Sequence, residues 1–323
     1  SRAAARCTHG CLQRGGSSPP TALGCAATDP MSPVEHLAEA LGAAGLDLEP
    51  GSARPVGGGC IHHAWRVEGP AGPVFLKTNV ADAAWMLAAE ADGLAALAAA
   101  GALRVPAVLG HGEAEGSAWL ALEWLELRSP TPETEAALGA GLARQHAEPG
   151  PHFGWSCDNA IGASPQVNTP DDDWGRFFAR RRIGAQLELG RRNGLPAALL
   201  ARGARLVERI PALLAGRQAA PALLHGDLWG GNRAADSAGR PVVFDPAVHY
   251  GDAECDLAMT RLFGGFDRAF YDAYDAVLPP APGWRQRLPL YQLYHVLNHA
   301  NLFGGGYVRQ AGALMDAVAG GLR

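Results

Sequence analysis

"LLHGDLWGGN" at residues 223–232, followed by "VVFDPA" at 242–247, is the stretch on which the reading of this chain turns. Asp227 precedes Asn232 by five residues, and Asp245 follows Asn232 by thirteen, after a β-like run. These residue types at these intervals suit one chemistry. One carboxylate orients an attacking hydroxyl and accepts its proton, while a second carboxylate and an amide oxygen hold Mg²⁺ against phosphates. A turn or cap role for Asp227 accounts for one position but not for all three.

A second signal lies upstream, in "PVFLKTN" at 73–79. Of the 27 Lys and Arg residues, Lys77 is the single lysine; every other cation is arginine. A compact ammonium at the end of a strand suits a point contact to phosphate oxygens, and a planar guanidinium is not its equivalent. Glu90, on the helix that follows, is placed to pair with it. A third signal is "GGGCIHHAW" at 57–65, where Gly57, Gly58 and Gly59 separate two strand-like segments. Backbone without Cβ can approach a phosphate closely and offer it N–H groups. Taken singly this run is weak, since the chain has 42 glycines.

Composition bounds the rest. At 323 residues, 48% hydrophobic and 18% charged, the chain has ample length for one large domain or two lobes. A net charge of −5 gives no basic footprint for nucleic acid. The Ala-rich segment near 83–100 is interrupted by Glu90 and Asp92, so no membrane span is expected. The six cysteines show neither C-x-x-C pairs nor a dense framework, which reads as free thiols in a reducing compartment. Residues 1–30 have no hydrophobic periodicity and no acidic residue before Asp29. They are expected to be a disordered leader or a non-native extension ahead of Met31, with a transit peptide as the functional alternative. A cytoplasmic location follows, or organellar import if that leader is a transit peptide.

Along the chain, "SPVEHLAEAL" opens the fold with Ser32, Pro33 and Glu35 in a capping box. Strand-like runs follow at 52–57, 63–68 and 73–79, then a helix over 82–100 and strand-like runs in "RVPAVLGHG" and "AWLALEWLEL". From Pro132 the pattern is helical, over 133–147, 172–190, 196–215, 255–263 and 285–302, except for a compact stretch at 222–256 dense in Asp, Gly and His. The expected class is α+β and bilobal: a β-rich N-lobe over 31–125 that binds ATP, and a helical C-lobe over 126–323 that carries catalysis and substrate.

The Asp227, Asn232 and Asp245 pattern resembles the catalytic loop and metal-binding aspartate of protein-kinase-like phosphotransferases. His225-Gly226-Asp227 stands where those enzymes have His-Arg-Asp, and Asp245-Pro246-Ala247 where they have Asp-Phe-Gly. The short interval before Asp256 leaves no room for a long activation loop, which points to a small-molecule kinase. More closely, "GGGCI", "VFLKTN", "FGW", "PQVN", "DDWGRFFARRRIGAQL", "LLHGDLWGGN", "VVFDPAVHYGDAECDLAMTRLFGGF", "FYDAY" and "YQLYHVLNH" resemble segments of the fructosamine kinases, or ketosamine-3-kinases. They run over about 55–303, nearly the whole chain.

That resemblance implies ATP-dependent phosphorylation of the 3-hydroxyl of a ketosamine. The phosphate destabilises the sugar adduct and frees the amine, a deglycation repair. It implies Asp227 as base, Asn232 and Asp245 as Mg²⁺ ligands, and Lys77 with Glu90 as phosphate anchor. It also implies that the backbone of Glu123, Trp124 and Leu125 meets adenine, and that Trp229 and His299 lie against the sugar. Where the family often has Trp, Asn and His after the last of these, this chain has Ala300, Asn301 and Leu302. Cys60 matches a cysteine that the family associates with redox control through a disulfide between two protomers, which makes a redox-dependent homodimer an expectation. Two other readings stay open. One is an aminoglycoside- or choline-kinase-like enzyme, which the cationic run Arg176, Arg180, Arg181 and Arg182 disfavours unless that run is a solvated face. The other is a nucleotide-binding pseudokinase.

Overall fold

The computed structural model describes residues 33–57 and 61–320. Two compact units emerge: residues up to Ala84 with Leu109–Trp124, and Trp85–Val108 with Leu125 onward. The chain crosses between them after Ala84, after Val108 and after Trp124, so the helix that the sequence assigns to the first lobe belongs with the second unit.

The first unit opens with two short helices, α1 (Pro33–His36) and α2 (Ala38–Ala43); the capping Ser32 lies outside the described residues. Five strands follow: β1 (Arg54–Pro55), β2 (His63–Val67), β3 (Val74–Val80), β4 (Val108–Ala114) and β5 (Ser117–Glu123). They form one sheet in the order β1-β2-β3-β5-β4. The central strand β3 is antiparallel to both neighbours, with Lys77 opposite Ala64 on one side and Leu120 on the other. Val34, Leu37 and Leu41 of the α1–α2 segment pack on Val67, Val74, Leu76, Trp119 and Ala121, so this amphipathic segment closes the apolar side of the sheet.

The second unit begins at Trp85, in the first turn of α3 (Ala84–Ala100). By length and composition alone the segment Ala81–Ala100 is apolar enough to cross a membrane, with a mean hydropathy of 1.3. Leu87, Glu90, Ala91, Gly93, Leu94 and Leu97 are nevertheless buried in the protein. A Cβ on Gly93 would meet Pro246 and Val248 at 3.2 Å, so the backbone of α3 lies directly against the segment after Asp245. Glu90, three residues earlier, shares that face of the helix.

Next comes α4 (Pro132–Ala147) with Pro132 at its first position. The Thr131 hydroxyl accepts from the Thr134 N–H at 3.3 Å. A small hairpin, β6 (Asn159–Ile161) and β7 (Ser164–Gln166), precedes one long helical run. That run comprises α5 (Trp174–Phe177), a π-helical turn over Phe178–Gly184 and α6 (Ala185–Arg192). The Asp173 carboxylate accepts from the Arg176 N–H at 2.6 Å and starts it. After α7 (Ala197–Leu214) the compact stretch resolves into β8 (Ala222–Leu224), β9 (Arg233–Ala235), β10 (Pro241–Val243) and β11 (His249–Gly251). The chain ends in α8 (Glu254–Leu262), α9 (Arg268–Val277), α10 (Trp284–Phe303) and α11 (Gly306–Gly320). α9 and α11 go beyond the expected helices. The cap of α9 was legible, since Asp267 accepts from the Ala269 N–H at 2.8 Å. Phe177, Phe178, Ile183, Ile210, Leu293, Val296 and Leu297 are fully buried at the centre of this unit.

Candidate active site

Two β-ribbons frame the reactive segments. β8 pairs with β11, placing Leu224 opposite His249, and β9 pairs with β10, placing Arg233 opposite Val243. The loop His225–Asn232 therefore leaves one ribbon and enters the other, and residues 244–248 run back between the same two. Backbone bonds tie the segments together: Ala247 N–H to the His225 carbonyl at 2.8 Å, and Phe244 N–H to the Asn232 carbonyl at 3.1 Å.

This framing brings Asp227, Asn232 and Asp245 together. The Asn232 side-chain amide donates to the Asp227 carbonyl at 2.9 Å, to its carboxylate at 3.3 Å and to the Asp245 carbonyl at 3.5 Å. Because Nδ2 is committed to those acceptors, Oδ1 is the atom that Asn232 has for a cation. Burial, then the neighbouring Asp245 carboxylate, pushes the Asp227 carboxyl up to about 7 against the hydrogen bond from Asn232. A carboxyl that titrates near neutrality is matched to accepting a hydroxyl proton. Asp245 is exposed and sits at φ 56°, a left-handed conformation uncommon outside glycine.

His225 is fully buried and bonded at both ring nitrogens. Its Nδ1 accepts from the Asp227 N–H at 3.3 Å, so Nε2 carries the proton and donates to the Phe244 carbonyl at 3.1 Å. Burial lowers its pKa and keeps it neutral. The loop is also held from below. The Asp256 carboxylate accepts from the His225 and Gly226 N–H groups at 2.8 and 2.9 Å and meets His146 Nε2 at 3.2 Å. His146 Nδ1 in turn meets the Tyr274 hydroxyl at 2.8 Å. Burial pushes Asp256 up, but these bonds and His146 outweigh it and its pKa is lowered. Sequence reading passed over Asp256 and His146 in this role. Their only local signal was an acidic residue at the start of a helix and a histidine at the end of one.

A second buried network holds the segment after Asp245. Gln166 Nε2 donates to the Ala247 carbonyl at 3.0 Å and Asn159 Nδ2 to the Val248 carbonyl at 2.7 Å. Arg182 donates to Asn168 Oδ1 at 2.7 Å and to the Val167 carbonyl at 2.6 Å. The solvated-face alternative for the arginine run fails at Arg182, which is 1% exposed and lies 4.7 Å from the Phe177 ring. The π turn shifts the helical register, so this one arginine points inward while Arg176 pairs with Asp171 at 2.8 Å near the surface.

Trp229 and His299 belong to one aromatic series. Trp229 meets Phe263 at 6.5 Å between centroids, and Phe263 meets His299 at 5.0 Å. His299 Nδ1 donates to the His295 carbonyl at 2.8 Å, which makes Nε2 an acceptor in the neutral ring.

In the first unit, Lys77 is 7% exposed on β3; Glu90, in the second, is 9% exposed on α3. Glu123 ends β5, and the Trp124 ring packs at 6.3 Å from Phe75 with the Arg66 guanidinium 5.2 Å above it. Leu125 starts the next segment of the second unit. Gly57 is exposed, while Gly58, Gly59 and Cys60 lie outside the described residues.

A helical unit that carries this aspartate–asparagine–aspartate loop, in a chain whose other unit is built on a five-stranded sheet, defines a phosphotransferase of protein-kinase-like fold. The fructosamine kinase family model matches residues 33–320, and the chain belongs to that family. It is 48% identical over 259 residues to a probable ketoamine kinase of Synechocystis sp., covering 80% of this chain and 87% of that one. It is 39% identical over 264 residues to the chloroplastic protein-ribulosamine 3-kinase of Oryza sativa subsp. indica, covering 81% and 77%. The crystal structure of a putative fructosamine-3-kinase from Thermobifida fusca YX-ER1 superposes with a TM-score of 0.78 at 34% identity, covering 89% of this chain and 99% of that one.

Proposed function

We propose that the protein transfers the γ-phosphoryl group of ATP to the 3-hydroxyl of a ketosamine, an alcohol-acceptor kinase reaction of deglycation. The observation that carries the reading is the Asn232 amide, which bonds both Asp227 and Asp245 within a chain of this family. Asp227 orients the sugar hydroxyl and takes its proton. The opposed demands of burial and Asn232 leave that carboxyl basic enough for the step near neutral pH.

Asp245 and the Asn232 amide oxygen supply one charged and one neutral hard oxygen, a set that fits Mg²⁺, which takes its other ligands from water and phosphates. Bound there, the ion would neutralise charge on the transferring phosphate. Lys77, with Glu90 as its counter-charge, is assigned to the ATP phosphates, and Gly57, Gly58 and Gly59 to the loop beside them. The backbone of Glu123, Trp124 and Leu125 is assigned to adenine. Trp229 and His299 are assigned to the sugar, with His299 Nε2 accepting from a hydroxyl.

The rice relative's name specifies a protein-bound ribulosamine, and that substrate class is the first to test here. Neither an aminoglycoside kinase nor a pseudokinase is favoured beside ketoamine kinases at this identity. The reaction is expected in the cytoplasm, or in an organelle if residues 1–30 direct import; fusing them to a fluorescent reporter distinguishes the two. ATP consumption with ribulose-, erythrulose- and fructose-amines beside an aminoglycoside tests the activity. A ketosamine 3-phosphate as product supports the reading, and turnover of the aminoglycoside alone overturns it.

A further inference from the structure

Five aromatic rings form a continuous series that starts inside the catalytic loop and ends in solvent. Trp229 is two residues from Asp227, and its backbone N–H donates to the Asp227 carbonyl at 3.1 Å. From Trp229 the series passes through Phe263 to His299, and then divides. Tyr307 lies 4.9 Å from His299 between centroids, Phe303 lies 5.6 Å from it, and those two lie 6.2 Å apart.

The chain is shaped to make this surface. A Cβ on Gly230 would come within 3.4 Å of the Gly264 carbonyl, so the loop after Phe263 lies close against the catalytic loop. Phe303 follows His299 by one helical turn on α10. Gly304 and Gly305 then both adopt positive φ, 62° and 57°, and turn the chain so that α11 brings Tyr307 back over His299. Phe303 is 58% exposed, among the most exposed large apolar side chains described.

We propose that Phe303 and Tyr307, reached through Phe263 and His299, form the subsite for the amine portion of the substrate: its secondary ammonium and the alkyl stem beyond it. The inference rests on the ketosamine reading and names the part of the substrate that reading leaves open. Covalent connectivity carries it. The acceptor hydroxyl on C3 must reach Asp227, and the amine on C1 is only two carbons away, so the group attached to the amine must leave the catalytic loop within a few ångströms. The aromatic series is the surface that leaves the loop at Trp229 and opens at Phe303. Its chemistry matches that occupant, because ring faces attract an ammonium and methylenes gain from covering exposed ring carbon.

The test uses the full chain with Mg-ATP and two ribulosamines that differ only in the amine, one made from methylamine and one from butylamine. The butyl adduct should show a kcat/KM about tenfold higher, the size expected from partly burying three methylenes, and the gain should lie in KM. In Phe303→Ala and Tyr307→Ala the ratio between the two adducts should fall toward one, whatever the absolute rates. A ratio near one in the parent, or an unchanged ratio in both variants, overturns the subsite. Because a merely structural defect would slow both adducts alike, the ratio is insensitive to it. Phosphorylation of neither adduct would instead overturn the ketosamine reading, and the subsite with it.

Discussion

A Cβ built on Gly226 would lie 2.0 Å from the carbonyl oxygen of Ala247. Gly226 also holds φ at +82°, and its N–H is bonded to Asp256. The loop at 225–232 and the segment at 244–248 therefore touch at a point where no side chain fits. This is the physical reason that the loop reads His-Gly-Asp. Gly226→Ala is expected to destabilise the protein by roughly 1–3 kcal/mol for the left-handed backbone, with a similar cost for the overlap, and to lower kcat beyond that loss. Urea unfolding and turnover measured on the same preparation check it. A variant of parental stability and rate would show that the two segments can separate freely.

Asp227→Asn keeps the side-chain volume and removes the proton acceptor. Turnover should fall by about 10²–10⁴-fold, while nucleotide binding, followed by calorimetry, persists. Retained turnover would move the base elsewhere.

Lys77 sits on the central strand at 7% exposure, between Ala64 and Leu120. Lys77→Arg preserves charge but brings a planar fork on a differently shaped stem into that buried position. Its activity should drop nearly as far as that of Lys77→Ala, with a weakened response to ATP concentration. Free substitution by arginine would reduce the lysine to a compositional accident.

Burial, and next the neighbouring His299, lowers His295 to about 3; His225 and His249 are likewise lowered by burial. Below the ordinary histidine range near 6.5, the unfolded chain takes up protons that the folded chain refuses. Stability is therefore complete above that pH and is lost as the pH falls toward 3. The loss approaches about 1.4 kcal/mol per pH unit for each such histidine. Urea midpoints at pH 7.5, 6 and 5 should decline steadily, and His295→Gln should flatten the slope. Equal slopes in both proteins would remove His295 from the account.

Cys60 follows the glycine run proposed for the ATP phosphates and lies outside the described residues; a thiol next to a phosphate-binding loop is expected to be acidic and reactive. Among the other thiols, Cys255 is inert on physical grounds, since burial and then Asp252 raise its pKa strongly. Among the described residues, Cys157 is exposed and is the competitor. Mild oxidation should lower activity and reductant should restore it in the parent and in Cys157→Ala, with a disulfide-linked dimer on non-reducing gels. Cys60→Ala should resist. The same reversible loss in Cys60→Ala would rule it out as the switch.

The residues assigned to chemistry were legible because they fall in short local segments. Asp227, Asn232 and Asp245 span nineteen positions, and their spacing records the two ribbons that hold them. Helix starts were legible for the same reason: Thr131 with Pro132, and Asp173, cap their own next turn. The tertiary structure alone decided which groups hold the loop and what surrounds it. Asp256 reaches the Gly226 N–H across thirty residues, and Arg182 is turned inward by a π turn that no apolar periodicity marks. The aromatic series from Trp229 to Tyr307 is assembled from three separate stretches of chain. Periodicity and caps report on neighbours within one element, whereas burial, hydrogen-bond partners and close approaches depend on which distant segment folding brings alongside.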